Sequence, residues 1–283
     1  MKEKDYIITS AGVKMPKIIY GTAWKKERTT SLVEAALRCG FRGIDTACQP
    51  KHYNEALVGD AILNMQHEGI KREDLFIQTK FTPVSGQDLK NIPYHLNASL
   101  PKQVQQSFAT SKHNLNTQYI DSLVLHSPYT VFEELMEVWH TMETFVSKGD
   151  VGQLGISNCY SIDILKDLYE TAHIKPAVLQ NRFHAKTYYD KEIRKYCDEK
   201  HIIFQSFWSL TGNPEIFLTE ILDKISEKHK VSTAEVWFAF LRENNIVPLT
   251  GTSSSQHMIE DLNSLDITLS PEDIKQIATL IAR

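Results

Sequence analysis

The feature that most constrains this chain is an alternation sustained along its length: short apolar runs of strand length, separated by longer stretches of helical period. The runs are IIYGT (18–22), GIDTA (43–47), LFIQTKF (75–81), IDSLVLHS (120–127), GQLGISN (152–158), AVLQNRF (177–183), IIFQSFW (202–208) and IVPLTG (246–251), eight in all. Helical periodicity fills 29–39, 54–67, 100–115, 132–148, 162–173, 191–200 and 232–243. A last helix is announced by Ser270 as N-cap, Pro271 in its first turn and Asp273 near its positive end. Ahead of the series, residues 6–9, a turn at Ala11-Gly12 and residues 17–20 read as an opening hairpin.

Near-continuous apolar strands joined by helices imply a parallel sheet covered on both faces. Eight such units close most simply into a (β/α)8 barrel, a TIM barrel, and 283 residues suit one such domain, 1–283. The doubly wound nucleotide-binding fold is the rival. It requires G-x-G-x-x-G after its first strand, whereas the turn here is Gly21-Thr22-Ala23-Trp24. Gly149, Gly152 and Gly155 have the wrong spacing and lead into a strand.

A net charge of −4 gives no basic excess for nucleic acid or an anionic membrane, so a small-molecule partner is expected. Four scattered cysteines without C-x-x-C read as reduced thiols of a cytoplasmic protein, and with no histidines clustered at metal-ligand spacing no metal is expected. MKEKDYIITS lacks the apolar core of a signal peptide, and no run approaches the roughly 18 apolar residues of a membrane span. A monomer is expected.

Several strands end in a residue an apolar core would not choose: Asp45, Lys80 and His126, then Asn158, Gln180 and Phe207 or Trp208. Singly, these read as a helix cap, a snorkelling lysine or a satisfied core histidine. Jointly they deliver Asp, Lys and His to one barrel rim, where chemistry resides in such folds. With Tyr53 they form a unit able to protonate a carbonyl oxygen as hydride reaches the carbon. The ammonium favours phenolate, the carboxylate holds the ammonium, and a neutral imidazole orients the oxygen. A second reading makes Lys80 a Schiff-base nucleophile of an aldolase-type barrel.

On MPKIIYGTAW, GFRGIDTA, YNEALVG, LFIQTK, DSLVLHSP, LGISN, QNRFH and IVPLTGTSS, taken in order, the chain resembles the aldo-keto reductases over nearly its whole length. The resemblance implies a barrel oxidoreductase that reduces an aldehyde or ketone with a nicotinamide cofactor. Tyr53 would be the general acid, Asp45 and Lys80 its tuning pair, and His126 the substrate-orienting group. Ser157, Asn158 and Gln180 would bind the nicotinamide carboxamide, Phe207 would stack on its ring, and Gly21, Thr22, Trp208 and Leu210 would complete the trough. Gly251, Thr252 and Ser253, at the start of the helix that follows, would hold the adenosine 2′-phosphate, and His257 and Asp261 on that helix would also belong to the cofactor site. Many relatives carry Lys and Arg where this chain offers Gly251 and His257, which makes NAD(H) the alternative; Thr252, Ser253 and backbone groups could still serve the 2′-phosphate, so NADP(H) is the favoured cofactor. Trp24, Phe81 and Tyr94, the last from a long turn-rich segment after Lys80, would line the substrate site with His126. The same barrel also serves as a cofactor-binding regulatory subunit of ion channels, which supplies a non-catalytic alternative.

One loop departs from the family pattern. Seven residues separate Asp45 from Tyr53, where the family usually has about four, and counting back three from Glu55 lands on His52. A Lys80 ammonium would push an imidazole toward its neutral form and spoil it as an acid, so Tyr53 is expected to face the pocket. His52 is then expected to turn toward solvent or the loop interior.

Overall fold

The structure, a computed structural model, describes residues 1–282. Strands β1 (Tyr6–Ile8) and β2 (Lys14–Pro16) form an antiparallel hairpin, and eight parallel strands then close a barrel. In order these are β3 (Ile19–Gly21), β4 (Gly43–Asp45), β5 (Phe76–Phe81), β6 (Ile120–Leu125), β7 (Val151–Ser157), β8 (Val178–Arg182), β9 (Ile203–Phe207) and β10 (Ile246–Thr250). Leu249 and Thr250 pair with Ile19 and Tyr20 to complete the ring. Helices α1 (Thr29–Cys39), α2 (Glu55–His67), α3 (Leu100–Asn114), α4 (Phe132–Ser147), α5 (Ile162–Thr171) and α6 (Lys191–Lys200) each follow one strand, from β3 to β8. Two helices, α7 (Glu220–His229) and α8 (Thr233–Glu243), separate β9 from β10, and α9 (Ser255–Asn263) and α10 (Pro271–Ala278) end the chain. Among the described residues, no helix is long and apolar enough to cross a membrane.

Two sequence expectations change. The return arm of the hairpin is Lys14–Pro16, not 17–20, because a tight turn at Gly12, held by its N–H on the Thr9 carbonyl, sends the chain straight back. Ile19 and Tyr20 belong to the barrel wall instead. Helix α7 lies in a stretch with no expected element; only Leu222 and Ile225 of it are buried, too sparse a stripe to announce a helix.

Strand alternation divides the barrel into an inner and an outer layer. Along β5, Ile77 and Phe81 join the large apolar core that includes helix side chains, while Phe76, Gln78 and Lys80 face inward. Met15 of the hairpin packs with Ile19, Phe76, Val124, Val178 and Val247 at the end where the strands begin. Above this small apolar layer the interior is polar. Gln78 and Gln205 bond each other, and Gln78 and Gln180 both donate to Asp45 Oδ1, at 2.8 and 3.0 Å. These buried amides satisfy one another, as burial of polar groups requires, and they fix the height and rotation of the Asp45 carboxylate.

Candidate active site

A cavity of about 840 Å³ opens at the ends of the strands. It runs from Asp45, Tyr53 and His126 past Ser157, Asn158, Gln180 and Phe207 to Thr250, Gly251, Thr252, His257 and Asp261. Asp45 and Lys80 are 2% and 1% exposed, and the Lys80 ammonium donates to Asp45 Oδ1 at 2.7 Å, Asp45 Oδ2 at 2.6 Å and the Thr46 carbonyl at 2.8 Å. All three of its protons are therefore engaged. The Nζ lies 5.2 Å from the centroid of the Tyr53 ring, and the Tyr53 and His126 ring centroids are 5.9 Å apart.

The charges act differently from the sequence expectation. Burial, and after it the Asp45 charge, push the Tyr53 phenol above its ordinary pKa. Burial also pulls the Lys80 ammonium down, against the opposing pull of Asp45. His126 is held well below its ordinary range by burial and then by Lys80, so its imidazole is neutral at physiological pH. His126 Nδ1 sits 2.7 Å from the Thr82 hydroxyl, and its backbone carbonyl accepts from Asn158 Nδ2 at 2.8 Å. Lys80 is not among the residues lining the cavity, so a carbonyl in the cavity meets no amine there. That geometry weighs against a Schiff-base mechanism.

The long loop between β4 and α2 resolves into a turn. The Gln49 carbonyl accepts the amides of both His52, at 3.1 Å, and Tyr53, at 3.0 Å, with Pro50 in the second position of the turn, where its fixed φ fits. Asn54 then caps α2 through its bond from the Leu57 amide. The additional residues are absorbed there, and both neighbours end on the cavity wall. His52 is thus not turned away: its ring stacks on Trp24 with centroids 3.8 Å apart, and the Trp24 amide donates to the His52 carbonyl at 2.7 Å. Burial, then Lys51, lowers the His52 pKa, and its buried Nδ1 has no partner among the described residues.

Of the other expected residues, Gly21, Trp24, Ser157, Asn158, Gln180, Phe207, Trp208, Leu210, Gly251, Thr252, His257 and Asp261 line the cavity. Four do not. Thr22 is fully buried with its hydroxyl on the Asp45 carbonyl, and Ser253 is exposed on the outside of its turn. Phe81 sits on the outer face of β5, since Lys80 takes the inner one, and packs there against Tyr94 with ring centroids 5.7 Å apart. Tyr94 bonds the Thr82 carbonyl, and its segment buttresses the 46–54 loop, with Gln87 on the Cys48 carbonyl and Gln49 on that of Gly86. The segment is a prop for that loop and not a wall of the cavity.

Trp24, Asn158 and Trp208 all have φ between 52° and 64°, in the left-handed region, and all three line the cavity. For tryptophan this conformation is uncommon and costs about 1–3 kcal/mol, which surrounding contacts must offset. For Trp208 one such contact is the Arg182 guanidinium, whose carbon lies 4.0 Å from the ring centroid.

The cavity offers, at its two ends, groups suited to an elongated dinucleotide. Gln180 directs its amide nitrogen at Asp45 and Gln205, leaving Oε1 without a hydrogen-bond partner among the described residues, an acceptor suited to a carboxamide N–H. At the far end, the α9 N-terminus, capped by Ser254, presents backbone N–H groups. Sequence reasoning missed the cation here: Lys25, next to Trp24, lines the cavity and donates to the Gly251 carbonyl. Its position after the first barrel strand was a visible signal, but its contact with β10 was not. Burial, then Arg28, lowers its pKa.

Residues 17–282 match the Aldo/keto reductase family. The chain is 31% identical to the NAD/NADP-dependent indole-3-acetaldehyde reductase of Schizosaccharomyces pombe, over 97% of this chain and 94% of that one. It is 30% identical to the glyoxal reductase of Bacillus subtilis, over 98% and 93%. The crystal structure of an aldo-keto reductase from a Medee basin deep-sea metagenome library superposes with a TM-score of 0.84, at 26% identity, covering 98% of this chain and 96% of that one. With a closed parallel barrel, a polar cluster at its strand ends and a family match across nearly all its residues, the chain belongs to the aldo/keto reductase family.

Proposed function

We propose that the protein reduces an aldehyde or ketone to an alcohol with NADPH, with Tyr53 as the proton donor. The observation that carries this is the Asp45–Lys80 ion pair, buried directly behind the Tyr53 ring at the floor of a cavity that His126 also lines. When bound, the reduced nicotinamide supplies a hydride to the carbonyl carbon. Gln180, Ser157 and Asn158 would hold its carboxamide and Phe207 its ring face; Lys25, Thr252 and the α9 N-terminus would meet its phosphates.

The phenol stays protonated through neutral pH because its pKa is raised. It releases its proton only to a stronger base, which an alkoxide forming at the carbonyl oxygen is. The Lys80 charge behind the ring then stabilises the tyrosinate, and Asp45 keeps that charge in place. His126 Nδ1 contacts the Thr82 hydroxyl at 2.7 Å, and we take the tautomer in which Nδ1 accepts there and Nε2–H donates to the same carbonyl oxygen. Neither group titrates near neutrality, so the reduction rate at saturating substrate should be flat from pH 6 to 9. A limb near pH 6.5 would show that an imidazole titrates in the reaction.

The name of the first relative above includes both cofactors, and Lys25 supplies a cation that Gly251 and His257 do not. NADPH should therefore bind at least tenfold tighter than NADH in fluorescence titration; equal affinities would contradict the preference. A monomer acting on a small-molecule carbonyl is part of this reading, and free cysteines fit a cytoplasmic setting. The direct test is NADPH oxidation against a panel of aldehydes and ketones. Turnover of at least one class supports the reading. Tight NADPH binding without turnover of any would favour the regulatory role.

A further inference from the structure

Away from the cavity, His140 and Glu143 of α4 meet His173, which lies between α5 and β8. The Nδ1 atoms of His140 and His173 lie 2.8 and 3.3 Å from the same oxygen, Glu143 Oε2. The three ligand atoms fall within 4.8 Å of one another. A tetrahedral ion with bonds of about 2.0–2.1 Å to nitrogen and carboxylate oxygen sets its ligand atoms ~3.3 Å apart, so this cluster needs only small side-chain rotations to accept one.

The cluster is also pre-positioned. Glu143 Oε1 accepts from the Ile174 amide at 2.8 Å, which fixes the carboxylate. The Ile174 carbonyl in turn accepts from Trp139 Nε1 at 3.0 Å. Both backbone groups of Ile174 are thus clamped to α4, and this holds His173 beside His140 before any ion arrives. None of the three residues lines the cavity.

We propose that His140, Glu143 and His173 form a site for a late first-row divalent metal ion such as Zn²⁺, pinning α4 to the segment that enters β8. Two imidazole nitrogens and one carboxylate oxygen are the donor set such an ion prefers over Mg²⁺ or Ca²⁺. Ligation through Nδ1 leaves each ring proton on Nε2, and water completes the tetrahedron on the side where His173 is exposed.

The test is calorimetric titration of the metal-stripped full chain with Zn²⁺, beside His173→Ala and His140→Ala. The wild type should bind one more equivalent than either variant, or bind at least tenfold tighter, and Zn²⁺ should raise its melting temperature but not theirs. Substituted Co²⁺ should give the intense visible bands of a tetrahedral site in the wild type alone. NADPH-dependent turnover should be equal in all three proteins. Both variants alter half-exposed or exposed side chains, so folding should be preserved. Identical stoichiometry and affinity in all three, or no Zn²⁺ binding by the wild type at 100-fold molar excess, would overturn the proposal.

Discussion

The two ends of the cavity are built from different materials. At the β4–β6 end, Asp45 and Lys80 are almost completely buried, and every ammonium proton and carboxylate oxygen of the pair has a partner. At the β10–α9 end, Gly251 and His257 are exposed, and the groups on offer include backbone amides and the Lys25 cation. The first end fixes a charge arrangement that a reaction can use without reorganising it. The second can hold an anion but orients it loosely. Substitutions at the first should therefore affect folding and chemistry together, and those at the second should affect binding alone.

The largest effect on stability should come from Lys80→Met. It strands the Asp45 carboxylate with only the Gln78 and Gln180 amides as donors, and removing one partner of a buried ion pair costs about 3–5 kcal/mol. Urea unfolding should show a loss of this order. A loss under 1 kcal/mol would mean that the glutamine layer, and not the ion pair, holds the site.

Asp261 sharpens the contrast from the other end. Its carboxyl is buried against the Thr250 hydroxyl, and burial pushes its pKa up to about 6. Between the unfolded value near 4 and the folded value near 6, the native state binds the extra proton, so stability falls as pH rises through that window. Asp261→Asn keeps the Thr250 hydrogen bond and removes the charge. It should stabilise the protein by roughly 3 kcal/mol at pH 7.5 and by nothing measurable at pH 4, read from denaturation midpoints at both pH values. Equal effects at the two pH values would show that the buried charge is not the cause.

The smallest effect should follow Lys25→Ala. NADPH affinity should weaken by about tenfold, the scale of one charge-assisted hydrogen bond, with turnover at saturating NADPH unchanged. A fall in kcat would place Lys25 at the reacting end instead.

Much of this architecture was legible in the amino-acid order because strand alternation and helix periodicity are local signals. Eight apolar runs marked eight strands, and the polar residues that end them marked the rim. The same alternation argues against Phe81 in the cavity: with Lys80 inward, its neighbour must face the helices. Tyr94 packs on Phe81 and bonds the Thr82 carbonyl, so it lies outside the cavity with it. Helix α7 was hidden because two buried residues make too thin a stripe. His52 was hidden because its orientation depends on the Gln49 carbonyl holding two amides at once, a contact that residue type does not reveal. Lys25 was hidden because its partner lies more than 200 residues away, across the closure of the barrel.

The loop that holds His52 and Tyr53 side by side on one wall carries the central claim, that the tyrosine is the proton donor. The most direct measurement compares kcat for Tyr53→Phe and His52→Ala with that of the wild type on one reducible aldehyde, with NADPH affinity measured for each protein. The account predicts a fall of about 10²–10⁴-fold for Tyr53→Phe, the usual contribution of general acid catalysis, and less than tenfold for His52→Ala, with NADPH affinity retained in both. Near-wild-type turnover in Tyr53→Phe, with the large loss in His52→Ala, would contradict it and move the proton to the imidazole.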